Sequence, residues 1–567
     1  MSEVERCSRY LKTPMLFSMV AFLAAWLLPN HYFPWAMAYQ EFLSFFAGLL
    51  LVLVVILARS YRAPLSCIFF CFLPFIPLLQ AVTGVVFFGG DAWVAAFYLC
   101  GFAAMLFVGY SLARHAELRA DFVRGIAGVF VVGAVLSVGV ALYQWLILPS
   151  SIWVADMQPG GRPFANLAQP NNLATLLCMG LVGVIYFYEK GLWGGVASGI
   201  LVFFLLFGIA LTQSRTPWVG FFVVAVFWVW KSRVSPSRLS LNKVICWLFI
   251  YIACVLVLPF LADFLSLPHV SPLDRAQSLE RWDMWGQFWH AVLLQPLWGY
   301  GWNQVSVAQV AVSLAHPVSI LTEHSHNIVL DVLLWNGLVV GGFGIIFIVI
   351  WLARIAWRVR SIEGRFALLA ICFLLVHALL EFPLEYAFFL LPFGLLLGIA
   401  VADCPVVREL SVSRWGLVSV LLVGMAFWGW IWSEYRILEE DHRLMRFESA
   451  QIGNVRAVQP TPNVVFLTQL REFVRFARTP ASVGMDASQL EWMRKVAHRY
   501  PYASSLFRYS LALALNDQFD VAREQMLILR ALHVDKYYAE GWHSLRDMSV
   551  VYPQLDTLLQ SLPSVER

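Results

Sequence analysis

Charged residues are scarce in this chain, at 13% of its 567 residues, whereas hydrophobic residues make up 60%. In a soluble protein about a quarter of the residues are charged, so this composition excludes an ordinary soluble globular protein. All nine cysteines lie before residue 434, and their placement implies no disulfide framework. The net charge of +4 is small for the length and gives no support for a nucleic-acid partner.

Long apolar blocks dominate the chain instead. Their length, about 18 to 25 residues, suits membrane-spanning helices, and lipid-exposed backbone must satisfy its own hydrogen bonds. The first block, 14–33, lacks a small-residue cleavage site and is predicted to be an uncleaved span. We predict an all-α, polytopic bundle of about thirteen transmembrane helices, at 14–33, 37–58, 64–86, 92–113, 125–148, 171–188, 194–212, 217–231, 244–265, 327–353, 366–381, 384–402 and 415–433.

The basic residues predict the orientation of this bundle. Alternate connections hold nineteen Lys and Arg residues, whereas the other side holds four up to residue 433. Because cytoplasmic loops are enriched in basic residues, the N-terminus is predicted inside and residues 434–567 outside. A transporter or flippase would carry charges at mid-membrane and repeats in its two halves. The spans are nearly free of central charge and show no repeat.

The C-terminal region, 434–567, is predicted to be a separate domain following a membrane domain of residues 1–433. It is more strongly charged, and its apolar residues recur at helical spacing. The segments Ala503–Leu515, Asp517–Leu532 and Ala539–Met548 predict short antiparallel helices. This pattern is typical of a soluble helical-hairpin (TPR-like) domain, and a small helical bundle without further function is the alternative.

Two outer connections, 149–170 and 266–326, are long enough to carry chemistry. The first contains Arg162 and ends in a cluster of carboxamides. Asn171 and Asn172 have a plausible structural role, because carboxamides satisfy turns and helix caps after a proline. For Arg162 and Gln169 we favour substrate contact. The carboxamide residues of this motif are Asn166, Gln169, Asn171 and Asn172.

Two arginines stand out on the sparsely charged outer side. Arg215 lies at a membrane boundary without an acidic neighbour in sequence, where a charge is usually paired or functional; snorkelling to the interface is the alternative. Arg281 begins a segment in which Trp282, Trp285 and Trp289 share one helical face, as in an interfacial helix. Guanidinium groups match phosphate geometry, so Arg215 and Arg281 together are candidates to grip a diphosphate.

A histidine pair, His324 and His326, precedes Asn327 at the start of the tenth predicted span. An imidazole accepts a proton near neutral pH, so we interpret the pair as containing a general base. A metal site would require further ligands, and the outer face offers no HExxH or paired-Asp spacing. A structural, helix-capping pair is the other alternative. Glu381 and Tyr386 lie in a tight outer turn with a second carboxylate, Glu385. These groups are candidates to orient a histidine or to balance the arginines, and an exposed turn is the alternative.

These motifs carry a resemblance. In order, they read RPFANLAQPNNLATLL, TQSRT, RWDMW…PLWGYGWN, EHSHNIVLDVLLWNG and EFPLEY. Together they resemble the PglL-type bacterial protein O-oligosaccharyltransferases, in the wider superfamily of O-antigen ligases and polymerases. The resemblance covers roughly residues 10–433. It implies a GT-C-like membrane fold in a Gram-negative inner membrane, with its active face and C-terminal domain periplasmic. It also implies en bloc glycan transfer from undecaprenyl diphosphate to Ser or Thr of periplasmic or pilin proteins.

The same resemblance assigns roles to single residues. His326 matches the family's catalytic histidine, chosen over His324 because it directly precedes Asn327, and Arg215 and Arg281 match diphosphate contacts. Gln169 and Tyr386 match positions linked to activity. No metal or nucleotide cofactor is required, because a lipid diphosphate is already a good leaving group. An O-antigen ligase or polymerase remains the alternative, whereas the Asn–Gln motif and the soluble C-terminal region favour a protein acceptor.

Overall fold

The computed structural model describes residues 3–115, 117–233, 237–268, 280–405, 408–450, 452 and 461–565, and it is almost entirely helical, as predicted. In chain order the helices are α1 (Glu3–Leu27), α2 (Ala38–Ala58), α3 (Cys67–Phe72), α4 (Phe75–Val82), α5 (Gly89–Arg114), α6 (Arg119–Trp145), α7 (Pro170–Glu189), α8 (Gly195–Leu211), α9 (Thr216–Ser232), α10 (Leu241–Phe264), α11 (Glu280–Leu294), α12 (Val305–Val312), α13 (Ile328–Arg358), α14 (Ile362–Ala378), α15 (Ala387–Ala402), α16 (Arg414–Ser449), α17 (Thr468–Arg478), α18 (Ala487–Arg499), α19 (Ala503–Leu515), α20 (Phe519–Leu532), α21 (Asp535–Ser549) and α22 (Leu555–Ser561), with a short 3₁₀ turn at Pro383–Glu385.

Seven of the described helices are long and apolar enough to cross a membrane: α2, α5, α6, α7, α10, α13 and α16. Five further apolar segments are shorter: Leu11–Leu27, Cys67–Val82, Gly195–Leu211, Thr216–Ser232 and Ala387–Ala402. The chain is therefore a multi-pass membrane protein, and the count of thirteen spans stays a prediction. The span expected at 64–86 consists of two short helices, α3 and α4, which are separated at Leu73 and Pro74.

A two-stranded sheet interrupts the helical pattern. Strand β1 (Arg62–Pro64) pairs antiparallel with β2 (Glu409–Ser411), with Arg62 opposite Ser411. Glu409 accepts a hydrogen bond from the Tyr110 hydroxyl at 2.6 Å and forms an ion pair with Arg114 at 3.2 Å. The all-α expectation missed this pair, because three-residue strands are too short to show a two-residue periodicity.

The chain forms two compact units. The first unit comprises residues 1–73, 97–277 and 349–432, and the second comprises 74–96, 278–348 and 433–567. The core of the first unit is built from α1, α2, α5–α8, α14 and α15, around fully buried aromatic side chains such as Trp26, Phe130 and Phe388. The division falls inside α16, next to the boundary expected at residue 433, but segments 74–96 and 278–348 belong with the C-terminal region.

In the second unit, α13 is interrupted at Gly337, which has φ 72° and ψ 179°. A Cβ there would lie 2.5 Å from the Leu297 carbonyl oxygen, so only glycine fits. The carbonyl groups freed by the break accept hydrogen bonds from Tyr300 N (2.7 Å, to Leu334 O) and Gly301 N (3.2 Å, to Trp335 O). The Gly-Tyr-Gly turn therefore satisfies the broken helix, as backbone in a membrane protein requires.

The C-terminal helices α17–α22 form the larger part of the second unit's core. The predicted helices at 503–515, 517–532 and 539–548 correspond to α19, α20 and α21, whereas a TPR-like repeat stays a prediction. Arg499 donates to both carboxylate oxygens of Asp91, at 3.1 and 3.0 Å. Asn303 Nδ2 bonds the Asp91 carbonyl at 3.0 Å, and Ser306 Oγ bonds the Arg499 carbonyl at 2.7 Å. These bonds join the three chain segments of the unit.

Replacement of Arg499 by methionine is expected to destabilise the second unit by about 3–5 kcal/mol, because Asp91 would keep a buried charge without its partner. Thermal unfolding and limited proteolysis in detergent would measure the loss. Arg494→Met on the same helix is the matched control, since its ion pair with Glu491 is partly exposed and such pairs contribute at most about 1 kcal/mol. Equal destabilisation of both variants would contradict this assignment.

Candidate functional site

Each polar motif places its key residue at the N-terminus of a helix. Gln169, Arg215 and Tyr386 are the N-cap residues of α7, α9 and α15. Arg281 lies in the first turn of α11, and Asn327 directly precedes α13. Helix N-termini carry a partial positive charge and unpaired N–H groups, which favour anions. The motifs are therefore suited to bind an anionic substrate.

In the first unit, the loop before α7 is held by two carboxamide side chains. Gln144 Oε1 accepts from the backbone N–H groups of Phe164 (3.1 Å) and Ala165 (2.8 Å), while its Nε2 donates to two carbonyls. Asn166 donates to the carbonyls of Leu27 and Trp153 at 2.6 and 2.9 Å. Asn166 is thus a loop clamp. Gln144 was missed in the sequence because nothing marks a lone glutamine at a span end.

Asn171 connects three motifs of the first unit. Its Oδ1 accepts from Ser214 Oγ at 2.6 Å and from Arg162 at 3.3 Å, and its Nδ2 donates to Glu381 at 2.9 Å. Arg162 also donates to the Thr212 carbonyl at 2.9 Å. The structural interpretation of Asn171 as a local turn or cap residue is therefore wrong: its side chain makes tertiary bonds. Asn172 donates to the Leu167 carbonyl at 3.2 Å, and its side chain also hydrogen-bonds Tyr386.

Replacement of Asn171 by alanine is expected to loosen the contact between these motifs and to lower the melting temperature. Its three partners would lose bonds in a partly buried site, at about 1–3 kcal/mol in total. Activity should fall as well if Arg215, which adjoins Ser214, is the diphosphate contact that the sequence predicts. Thermal unfolding measures the change in stability, and product formation measures the change in activity. Gln158→Ala, at an exposed position of the same loop, is the control. Unchanged stability and activity in Asn171→Ala would argue against the organising role.

Several motif residues adopt a left-handed backbone conformation that is uncommon outside glycine. Ala165, Ala168 and Gln213 in the first unit have φ of 51°, 59° and 48°, and His326 in the second has φ 56°. Each such residue costs about 1–3 kcal/mol and persists where its surroundings impose it, often at functional sites. Gln169 is half-buried and does not cap α7 with its side chain. Arg215 is exposed.

In the second unit, α11 is tied to the histidine motif. Trp285 Nε1, one turn after Arg281, donates to the Ser325 carbonyl at 3.0 Å. Gln309 links the same helix to the loop, since its Nε2 bonds Gln287 at 3.1 Å and its Oε1 accepts from Thr322 N at 3.2 Å. Trp282 points outward and is 69% exposed, as on an interfacial helix. The helix that bears Arg281 therefore packs against the loop that bears His326.

The two histidines have different environments. Asn327, not a histidine, caps α13: its Oδ1 accepts from Val329 N at 3.0 Å. The interpretation of the pair as helix caps is therefore wrong. Burial, followed by the nearby charges of His326 and Arg499, lowers the pKa of His324 to about 3, so this ring stays neutral. His326 is of intermediate exposure, as His324 is, but its backbone is left-handed. Neutral His324 suits a structural role and leaves His326 as the candidate base.

The contribution of His324 and His498 to the stability of the second unit is expected to fall as the pH drops below about 6.5. Burial lowers the pKa of His324 to about 3 and that of His498 to about 4. The unfolded chain therefore binds protons between these values and the ordinary pKa of 6.5, while the folded chain does not. Thermal unfolding between pH 4 and 8 measures the slope. His324→Gln and His498→Gln should each flatten it; an identical slope would contradict the assignment.

Fold and motifs together define a multi-pass membrane protein with polar, anion-favouring helix N-termini. Comparison with known proteins identifies the family within this class. Residues 200–343 match the O-Antigen ligase family model, and residues 366–544 match the model of the virulence factor membrane-bound polymerase, C-terminal.

Two relatives come from Acinetobacter baylyi. The general O-oligosaccharyltransferase is 30% identical over 531 residues, covering 92% of this chain and 93% of the relative. The ComP-specific O-oligosaccharyltransferase is 27% identical over 518 residues, covering 88% of this chain and 91% of the relative. The chain belongs to the O-oligosaccharyltransferase family, glycosyltransferases that act on lipid-linked oligosaccharide.

Proposed function

We propose that the protein transfers a preassembled oligosaccharide en bloc from undecaprenyl diphosphate to Ser or Thr hydroxyls of periplasmic proteins, pilins among them. The similarity to two O-oligosaccharyltransferases over nearly the whole chain carries this proposal. The location that follows is a Gram-negative inner membrane, with the N-terminus cytoplasmic and the active face and C-terminal region, 434–567, periplasmic. The basic-residue distribution supports this orientation.

Arg215 and Arg281 bind the diphosphate of the donor in this proposal. Each guanidinium lies at the start of a helix, so the helix dipole and the fixed positive charge act on the anion together. Arginine forms two parallel hydrogen bonds to phosphate oxygens and stays ionised. The substrate-positioning residues in this proposal are Gln169, Arg162, Tyr386 and Glu381 in the first unit and His324 and Asn327 in the second.

The chemical step is an inverting displacement. His326 accepts the proton of the acceptor hydroxyl as its oxygen forms a bond to the anomeric carbon. The bond between that carbon and the phosphate oxygen breaks, and undecaprenyl diphosphate leaves with the electron pair. Arg215 and Arg281 stabilise the charge that grows on the leaving group, as preorganised electrostatics do in most enzymes.

Co-expression with a lipid-linked glycan pathway and candidate acceptor proteins tests the proposal. Intact-mass measurement should show acceptor protein heavier by one whole glycan. The main rival is an O-antigen ligase or polymerase, and the O-Antigen ligase match of residues 200–343 favours it as the second candidate. Glycan found only on lipid A-core, or only as longer lipid-linked chains, would overturn the protein-acceptor assignment.

A further inference from the structure

The first unit contains an apolar cavity of about 440 Å³ among α7, α8, α9, α10 and α14. Its walls are aliphatic and aromatic, with Leu181, Leu206, Trp218, Trp247 and Phe373 among them. Phe222 and Leu248, which also line it, are 70% and 42% exposed. In a multi-pass membrane protein such exposed apolar side chains face the lipid, so the cavity is open sideways to the bilayer.

One end of this cavity is cationic. Lys243 lines it and donates from Nζ to the Tyr188 hydroxyl at 2.8 Å, and Arg238 donates to the Tyr188 carbonyl at 3.2 Å. Both cations lie over the Tyr188 ring, at 5.3 and 5.4 Å from its centroid. Arg238 is exposed and lies outside the residues that line the cavity, and the Glu189 carboxylate accepts from its backbone N–H at 3.2 Å. Among the described residues, neither the Lys243 nor the Arg238 side chain forms an ion pair with a carboxylate. Lys190, in the preceding connection, differs because it pairs with Glu363 at 2.5 Å.

This cationic end lies at the opposite end of α9 from Arg215. The helix runs for 17 residues from Thr216 to Ser232, which spans roughly 25 Å, and Lys243 belongs to the first turn of α10 after it. A diphosphate held at Arg215 would not reach Lys243 or Arg238. Any anion at these two cations would therefore be a different one from the anion at Arg215.

We propose that the cavity binds one anionic phospholipid, with its phosphate at Lys243 and Arg238 and an acyl chain among the apolar walls. Basic pockets between membrane helices bind anionic headgroups, and the acyl chain would pack against the apolar walls by van der Waals contact. The donor's polyprenyl chain is the rival occupant, but it would leave the cationic end of the cavity unused. The lipid site is separate from the proposed transfer chemistry.

Native mass spectrometry of the purified full chain tests this site, with phosphatidylglycerol and phosphatidylethanolamine supplied at equal concentration. We expect one retained phosphatidylglycerol. Lys243→Gln and Arg238→Gln should each weaken its retention by roughly fivefold. Arg358→Gln removes an exposed cation that is neither a lining residue of the cavity nor, unlike Arg238 and Lys243, a cation over the Tyr188 ring, and it serves as the matched control. Equal binding of the two lipids, or unchanged retention in both cation variants, would overturn the proposal.

A second variant addresses the acyl chain. A Cβ at Gly199, which lines the cavity, would lie 3.6 Å from the Trp247 ring, so Gly199→Leu fills cavity space without a backbone clash. It should displace the phospholipid while the melting temperature is kept. Undecaprenyl phosphate is added in a further arm. Displacement of phosphatidylglycerol by this lipid would assign the cavity to the donor's tail and overturn the phospholipid site.

Discussion

Replacement of His326 by alanine is expected to abolish glycan transfer while the protein still accumulates in the membrane. A positioned general base contributes about 10²–10⁴-fold to the rate, and His326 is the proposed base of its motif. The residues on either side of His326 are fixed by hydrogen bonds. Val329 N donates to Asn327 Oδ1 at 3.0 Å, and Ser325 N donates to Asp331 Oδ1 at 2.9 Å. Substitution of the side chain leaves these bonds intact.

Matched histidine variants separate this chemistry from a structural effect. His290 and His316 stack on each other at 3.7 Å elsewhere in the second unit, so His290→Ala should retain most activity. His324→Gln replaces a ring that is already neutral, and transfer should survive in part. Transfer is measured by intact mass of the acceptor, with melting temperature as the folding control. Full activity in His326→Ala would rule out the base, as would equal losses in His290→Ala.

The membrane helices were predictable because their signal is local. The expected spans 171–188 and 194–212 correspond to Pro170–Glu189 and Gly195–Leu211, since lipid imposes a run of apolar residues on every such helix. The break in α13 was not predicted, although Gly337 stands in the sequence. A glycine inside an apolar run has several explanations, and only the Leu297 carbonyl beside it shows which applies.

The long-range contacts that join the segments of the second unit leave no local signal in the sequence. Asp91 and Arg499 are 408 positions apart, and neither is unusual in its own segment. The same limit applies to Asn171, whose partners Ser214 and Glu381 come from two other motifs. Sequence reasoning therefore predicts candidate residues for the chemistry, but the residues that hold the motifs together required the three-dimensional contacts.

Replacement of Arg215 by lysine is expected to lower the transfer rate strongly although the charge is kept. Lysine offers a point charge, whereas the proposed diphosphate contact needs the planar guanidinium with its parallel donors. Loss of one such preorganised donor costs about 10²–10³-fold in the rate. The transfer rate of Arg215→Ala should therefore fall by at least this factor, and the rate of Arg215→Lys should lie between that of Arg215→Ala and that of the unchanged protein.

Kinetics with varied donor concentration locate the effect within the reaction. If Arg215 acts on the charge that develops on the leaving group, kcat falls more than KM rises, because only interactions stronger in the transition state change kcat. Arg124→Lys, a change in an exposed arginine paired with Asp121 at 3.6 Å, provides the control for lysine substitution. Restored full activity in Arg215→Lys would show that simple attraction suffices. A loss confined to KM would place Arg215 in donor binding alone, because a contact made equally in the ground and transition states leaves kcat unchanged.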